Sequence, residues 1–285
     1  MFALGAVRLP GWARLRRQQM EDIAARIAAA AGTVAVRSLS IVLLLAFWEA
    51  LARSGWVTPF QLPPFSRVVE RIVSDIASGE AITNAALTLY RAFAGFVIAG
   101  IGGVVLGMLI FRNAFARWFF DPIISAGFPM PKVAFLPIII LWFGVYDMPK
   151  ITMIVIDAIF PVITATILGF QGVDRHLVWS ARNMGAKERE VLWQIVLPAA
   201  LPQIMTGLQV ALPIALIVAV VTEMVMGGYG LGAATMTAWR FANSAGVFAG
   251  IVEIAAVGFV VVKGMAMLRR RLLLWHPEAL EPSTV

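Results

Sequence analysis

Six stretches of the chain run for about twenty residues with few charges, the length a helix needs to cross a hydrocarbon core about 30 Å thick. They are Thr33–Ala52, Leu87–Phe111, Asp121–Phe143, Pro149–Phe170, Gln203–Met226 and Gly246–Leu268. Each is expected to be a helix, because lipid offers no partner to a free backbone N–H or C=O. The third contains Pro129, Pro131 and Pro137, which remove links from its hydrogen-bond ladder. Pro161 and Pro213 predict bends in the fourth and fifth. The segment Trp56–Asn84 is too polar to span. Val69, Ile72, Val73 and Ile76 recur there at helical spacing after Ser66, a candidate N-cap, so a short interfacial helix is expected. In the second span Gly95, Ala99, Gly103 and Gly107 follow one another at i+4. A strip so bare admits another backbone closely, either in a dimer or moving interface or in packing within the chain.

Composition places these spans in a membrane. Sixty per cent of the 285 residues are apolar and 14% charged, which excludes disorder and leaves more apolar surface than a soluble globule hides. Cysteine is absent, so there is no disulfide, thiolate metal site or cysteine nucleophile. His176 and His276 lie too far apart in sequence to suggest a metal site. With the N-terminus inside, sixteen of the 23 Lys and Arg fall to cytoplasmic segments and six to outside segments, favouring six helices with both ends cytoplasmic. Ala50-Leu51-Ala52 resembles a signal cleavage site, but the basic region before it is too long and Glu49 adjoins it. Residues 1–32 therefore read as a cytoplasmic basic tail, with Trp12–Ala31 either an interfacial amphipathic helix or a frayed tail. Residues 33–285 form the transmembrane domain.

Charges at membrane depth are costly and face protein or water. The candidates are Glu49, Lys132, Asp157, Glu223 and Glu253. Glu49 and Glu223 stand near the outer ends of their spans, within reach of the interface. Lys132 and Asp157 lie deeper, and either pair with each other or line a wet path. Lys132, Asp157 and Glu223 are the candidate residues of a translocation path.

The longest inside loop, Gln171–Pro202, is amphipathic. Val178, Ala181, Met184, Val191, Leu192, Ile195 and Val196 alternate with Arg182, Lys187, Glu188, Arg189 and Glu190. Gly185 divides it into two helical stretches, and Pro198 with Pro202 is expected to end the second before the membrane. Such a projection is shaped to take force from a soluble partner. Ser180-Ala181-Arg182-Asn183-Met184-Gly185, nine residues, then Ile195-Val196-Leu197-Pro198 resembles the EAA loop of ABC importer permeases. Two positions depart from that pattern: Trp179 stands for the Glu and Ser180 for the first Ala. Asp121-Pro122, Pro129-Met130-Pro131, Leu136-Pro137, Leu141-Trp142-Phe143-Gly144, Glu223-Met224, Gly230-Leu231-Gly232 and the end Arg269–His276 resemble the nitrate/sulfonate/taurine/bicarbonate branch. Lys132 departs from the small apolar residue common there.

The resemblance implies an all-α polytopic protein of the type I ABC importer permease fold, in a bacterial inner membrane. It implies a second copy of the permease, two cytoplasmic ATPase subunits and an extracytoplasmic binding protein that delivers a small solute such as a sulfonate, nitrate or bicarbonate. It assigns ATPase coupling to Val178, Ser180, Ala181, Met184, Gly185, Ala186, Val191, Ile195, Leu197 and Pro198. The chain has no G-x-x-x-x-G-K-[ST] loop, so it is expected to be no enzyme and to bind no cofactor, with ATP and Mg on the partner. The alternative is a secondary transporter driven by an ion gradient, for which inverted repeats and buried acidic ligands would be the signs.

Overall fold

A computed structural model describes residues 39–275. The expected interfacial helix Trp12–Ala31, the start of the first span and His276 lie outside them. Among the described residues all regular structure is helical, in two compact units that divide after Ser66.

In the first unit, α1 is helical over 39–53. The Trp48 indole donates to the Pro63 carbonyl at 3.0 Å and its ring meets Phe65. Ser66 is not the expected N-cap, because α2 (Phe65–Ala77) already contains it. Glu49 takes that part instead. Its carboxylate accepts from the Ser66 N–H (3.1 Å) and hydroxyl (3.0 Å) and pairs with Arg53, so it turns back to a helix start rather than outward to the interface.

The second unit contains α3 (Glu80–Arg112), α4 (Ala114–Gly127), α5 (Leu136–Phe143), α6 (Asp147–Gln171), α7 (Arg175–Asn183), α8 (Glu188–Glu190), α9 (Leu197–Met226), α10 (Leu231–Arg240) and α11 (Ser244–Leu272). Long apolar helices account for the second, fourth, fifth and sixth expected spans. The third is not one straight helix. It bends by 98° between α4 and a second arm, Lys132–Phe143, which is a 3-10 turn (Lys132–Phe135) followed by α5. Pro131 precedes that turn, whereas Pro137 breaks nothing: it lies in the first turn of α5, where an absent N–H leaves no bond unmade. α6 and α9 continue through Pro161 and Pro213. α10, which the apolar pattern does not announce, packs against α11, α9 and α3.

α6 is the central helix, with its most extensive contacts to α3 and α9. The glycine strip of α3 is filled from within the chain: Gly95 faces Ile154, Gly103 faces Val162 and Gly107 faces Thr166, all on α6. On the other side Gly207 of α9 faces Ala165 and the Pro161 carbonyl. Lipid is as apolar as the helices, so association rests on close backbone approach and dispersion. The strip is therefore a packing seam within one chain, not a dimer interface. A Cβ on Gly103 would stand 2.7 Å from the Val162 Cβ, and a Cβ on Gly264 of α11 would meet nothing within 4 Å. Gly103→Val should lower stability by about 1–3 kcal/mol through overpacking, read as a lower Tm in detergent, while Gly264→Val leaves Tm near wild type. Equal Tm values for the two variants would refute the seam.

Candidate functional site

The loop at one end of the bundle is a rigid turn. Asp174 caps α7 by accepting from the His176 N–H at 2.8 Å. At the far end Ala186 N–H donates to the Ala181 carbonyl (3.0 Å) and Gly185 N–H to the Arg182 carbonyl (2.9 Å). This is the Schellman pattern, with Gly185 in the left-handed position at φ +86°. The Lys187 N–H then donates to Glu190 Oε2, which starts α8. The second stretch does not stop at Pro198 and Pro202. A π turn, Val191–Val196, carries it into α9, with the Leu197 N–H reaching the Leu192 carbonyl. Pro198 follows in the first turn of α9, and the helix runs on through it and Pro202. The loop is thus covalently and helically continuous with the fifth span.

Its expected coupling residues divide by burial. Ala181 and Val191 are buried against Phe170, Ala200 and Ile204, and Val178, Ala186, Ile195 and Leu197 are half-buried around them. These hold the turn together. Ser180, Met184, Gly185 and Pro198 are exposed, Met184 at 82%.

Halfway along, the bend between α4 and α5 puts Lys132 against α6. Its ammonium lies 2.9 Å from Asp157 Oδ1, donates to the Phe128 carbonyl (3.2 Å), and stands 4.8 Å over the Phe160 ring. Phe160 in turn fits against Gly127, which has no side chain to obstruct it. Lys132 is buried and Asp157 half-buried. The two deep charges that the sequence separates by 25 positions are one pair.

The opposite end holds an ion cluster the sequence reading missed. Glu223 does not reach an interface, because its exposure is zero. Its carboxylate accepts from Arg91 Nη1 (2.6 Å), the Thr88 hydroxyl (2.9 and 3.1 Å) and the Gly232 N–H (3.1 Å). Arg91 continues to Asp147 (2.7 Å) and the Tyr229 carbonyl (2.6 Å). Thr88 also accepts from the Leu231 N–H, and Asn84 from the Gly230 N–H, both at 2.9 Å. Lys150, likewise buried, donates to the Gly227 carbonyl at the end of α9. Gly230 sits at φ +126°, and a Cβ there would strike the Glu223 carboxylate. Together these groups tie α3, α6, α9 and the start of α10 at this end, with Glu223 wholly enclosed. A signal for Arg91 was present: it stands four residues before Gly95 on the same strip, so it belongs to the face that meets α6.

The helical bundle and its loop can be set beside known proteins. Residues 99–274 match the family described as binding-protein-dependent transport system inner membrane component. The chain belongs to this family of ABC importer permeases. The taurine transport system permease protein TauC of Escherichia coli (strain K12) is 31% identical over 86% of this chain and 90% of that protein. The putative aliphatic sulfonates transport permease protein SsuC of Bacillus subtilis (strain 168) is 33% identical over 82% of this chain and 84% of that protein. Among solved structures, an amino acid ABC transporter shares the fold with a TM-score of 0.59 at 18% identity, over 72% of this chain and 98% of that one. The permease is therefore a membrane transport subunit of the type I importer fold, and the reading as an ion-gradient-driven transporter falls away.

Removing one partner of a buried pair leaves the other uncompensated, at a cost of about 3–5 kcal/mol. In the permease, Arg91→Met and Glu223→Gln should each cut the yield of folded protein severely and lower Tm. In a double-mutant cycle, Arg91→Met combined with Glu223→Gln should lose less than the sum of the two. Additive losses would mean that the pair does not act as a unit.

Proposed function

We propose that the permease imports a small organic anion of the sulfonate or taurine class across the bacterial inner membrane. It works as two copies with both termini cytoplasmic, two ATPase subunits below and an extracytoplasmic binding protein above. The substrate class follows from the taurine and aliphatic sulfonate permeases it resembles over most of its length. The orientation follows from the excess of Lys and Arg on the loop side. This chain supplies no nucleotide site of its own, and ATP with Mg belongs to the ATPase subunits. Residues 1–32 are a cytoplasmic tail and 33–285 the permease domain.

The observation that carries this reading is the exposed, glycine-locked turn running without a break into α9. Ser180, Met184, Gly185 and Pro198 present the face that an ATPase engages. Ala181, Val191 and their half-buried neighbours Val178, Ala186, Ile195 and Leu197 make the turn stiff enough to pass on its displacement. When ATP closes the ATPase pair, the loops of the two copies move together and the spans exchange inward-open and outward-open arrangements. A side chain with Cβ in the left-handed region costs roughly 1–2 kcal/mol, and Asn tolerates that region far better than Val. Gly185→Val should therefore reduce ATP-driven uptake about tenfold per assembled complex, while Gly185→Asn keeps most of it. Normal uptake in Gly185→Val, measured in vesicles with the ATPase and binding protein present, would remove the loop from the coupling route.

Along the path, Lys132 is the residue suited to an anion. Its ammonium already has Asp157 beside it, and a passing sulfonate would exchange places with that carboxylate and recover part of the hydration it loses. Glu223, enclosed in its cluster, is not part of the path. The variant Lys132→Met with Asp157→Asn removes the pair without leaving a lone charge. It should accumulate at wild-type yield and take up the anion several-fold more slowly. Full recovery of uptake together with yield would assign the pair to structure alone.

A further inference from the structure

At the loop end lies a cavity of about 520 Å³, walled in part by the coupling loop. Four arginines line it: Arg112 at the end of α3, Arg117 in α4, and Arg175 and Arg182 in α7. Glu188 is the one acidic side chain among the lining residues, so the cavity carries a formal excess of three positive charges. Glu188 is taken up by Arg182 at 2.8 Å, and Arg117 donates to the Phe111 carbonyl at 3.0 Å. Among the described residues no carboxylate comes within ion-pair distance of Arg112 or Arg175. Arg112 has a local reason to be there, because the last turn of a helix favours a cation. Arg175 has the opposite situation. It is the first residue of α7, where the helix dipole disfavours positive charge, and its neighbour Asp174 is engaged in capping.

Guanidinium groups gathered with so little counter-charge suit an anion, and their forked geometry suits a phosphate in particular. Behind the arginines the floor of the cavity is the closed hydrophobic cluster of the loop end, with Gln171 at its edge. Phe111 and Phe170 stand with ring centroids 5.4 Å apart, and Val196 and Leu192 continue that surface. Trp179, the residue that departs from the loop motif, lines the same cavity. An aromatic ring where the motif has a carboxylate withdraws a negative charge from the arginines and supplies a side chain favoured at the membrane interface. A basic recess at the ends of α3 and α6, with the exposed Trp179 at its side, suits an anionic headgroup at a membrane surface.

We propose that this cavity holds the headgroup of an anionic phospholipid of the inner leaflet, its phosphate met by Arg112 and Arg175. Basic recesses on the cytoplasmic side of a helical bundle recruit such headgroups. The leaflet rests on the orientation proposed above. Because α7 and the π turn are walls of the cavity, the lipid braces the coupling loop from the membrane side.

The test uses the permease in complex with its ATPase, in phosphatidylcholine nanodiscs with and without phosphatidylglycerol. Native mass spectrometry counts the phosphatidylglycerol retained after release. The wild type should retain it. Arg112→Gln with Arg175→Gln, and separately Trp179→Glu, should retain several-fold less, while Arg270→Gln with Arg271→Gln, an equal charge loss on α11, should match wild type. Millimolar inorganic phosphate should not displace the lipid. Wild-type retention in the Arg112/Arg175 variant would overturn the proposal, and so would displacement by phosphate, which would make the cavity a site for a soluble anion. ATP-driven uptake by the wild type, measured alongside in liposomes, separates the two readings. Uptake without lipid retention refutes this inference alone, and retention without uptake counts against the proposed transport function while the lipid site stands.

Discussion

Taking a carboxylate out of water costs several kcal/mol unless donors meet it from every side, and Glu223 has no exposure at all. Its donors come from α3 and from the first turn of α10, and Arg91 extends the set to Asp147 on α6. The requirement reaches the backbone. Gly230 must lack a side chain because the carboxylate occupies the place where one would go. Four helices that share little hydrophobic drive inside a bilayer are thereby given one relative arrangement at that end. The small-residue seam between α3, α6 and α9 extends the same arrangement down the bundle.

The two ends differ in kind. At the Glu223 end, polar side chains from distant parts of the chain converge and their hydrogen bonds are internal. At the loop end the bonds that shape the turn are local, from Asp174 to Glu190, and the exposed residues keep their side chains for a partner. Between them, the Lys132–Asp157 pair sits where α4 and α5 break, on backbone that membrane helices tolerate only when protein or water surrounds it.

Much of this was legible in the sequence, for reasons that also explain what was not. Span positions follow from runs of apolar residues, and Gly185 from its place between two amphipathic stretches. The prolines mark the third span as irregular, although only the structure separates Pro131, which lies in the break, from Pro137, which opens a helix. Arg91 and Lys150 are absent from the deep charges read from the sequence, because a hydropathy count does not ask which face of a helix a charge occupies. Pro198 and Pro202 read as a stop, since a π turn leaves no compositional trace. α10 was missed because ten residues of mixed polarity resemble a loop until Glu223 and Thr88 are seen binding its first N–H groups.

The unbroken run from the coupling turn into α9 also sets a mechanical scale. Leu197 and Glu223 are 26 residues apart in one helix, or about 39 Å at the α-helical rise. Were it held only at its far end, by the Glu223 cluster, α9 would turn as a rod about that point. Each ångström of sideways travel at the turn would then tilt it by about 1.5°. A large angular change at mid-membrane therefore demands either a long stroke at the loop or a flexure along the way. Pro202 and Pro213 are the positions in α9 where a helix yields most easily.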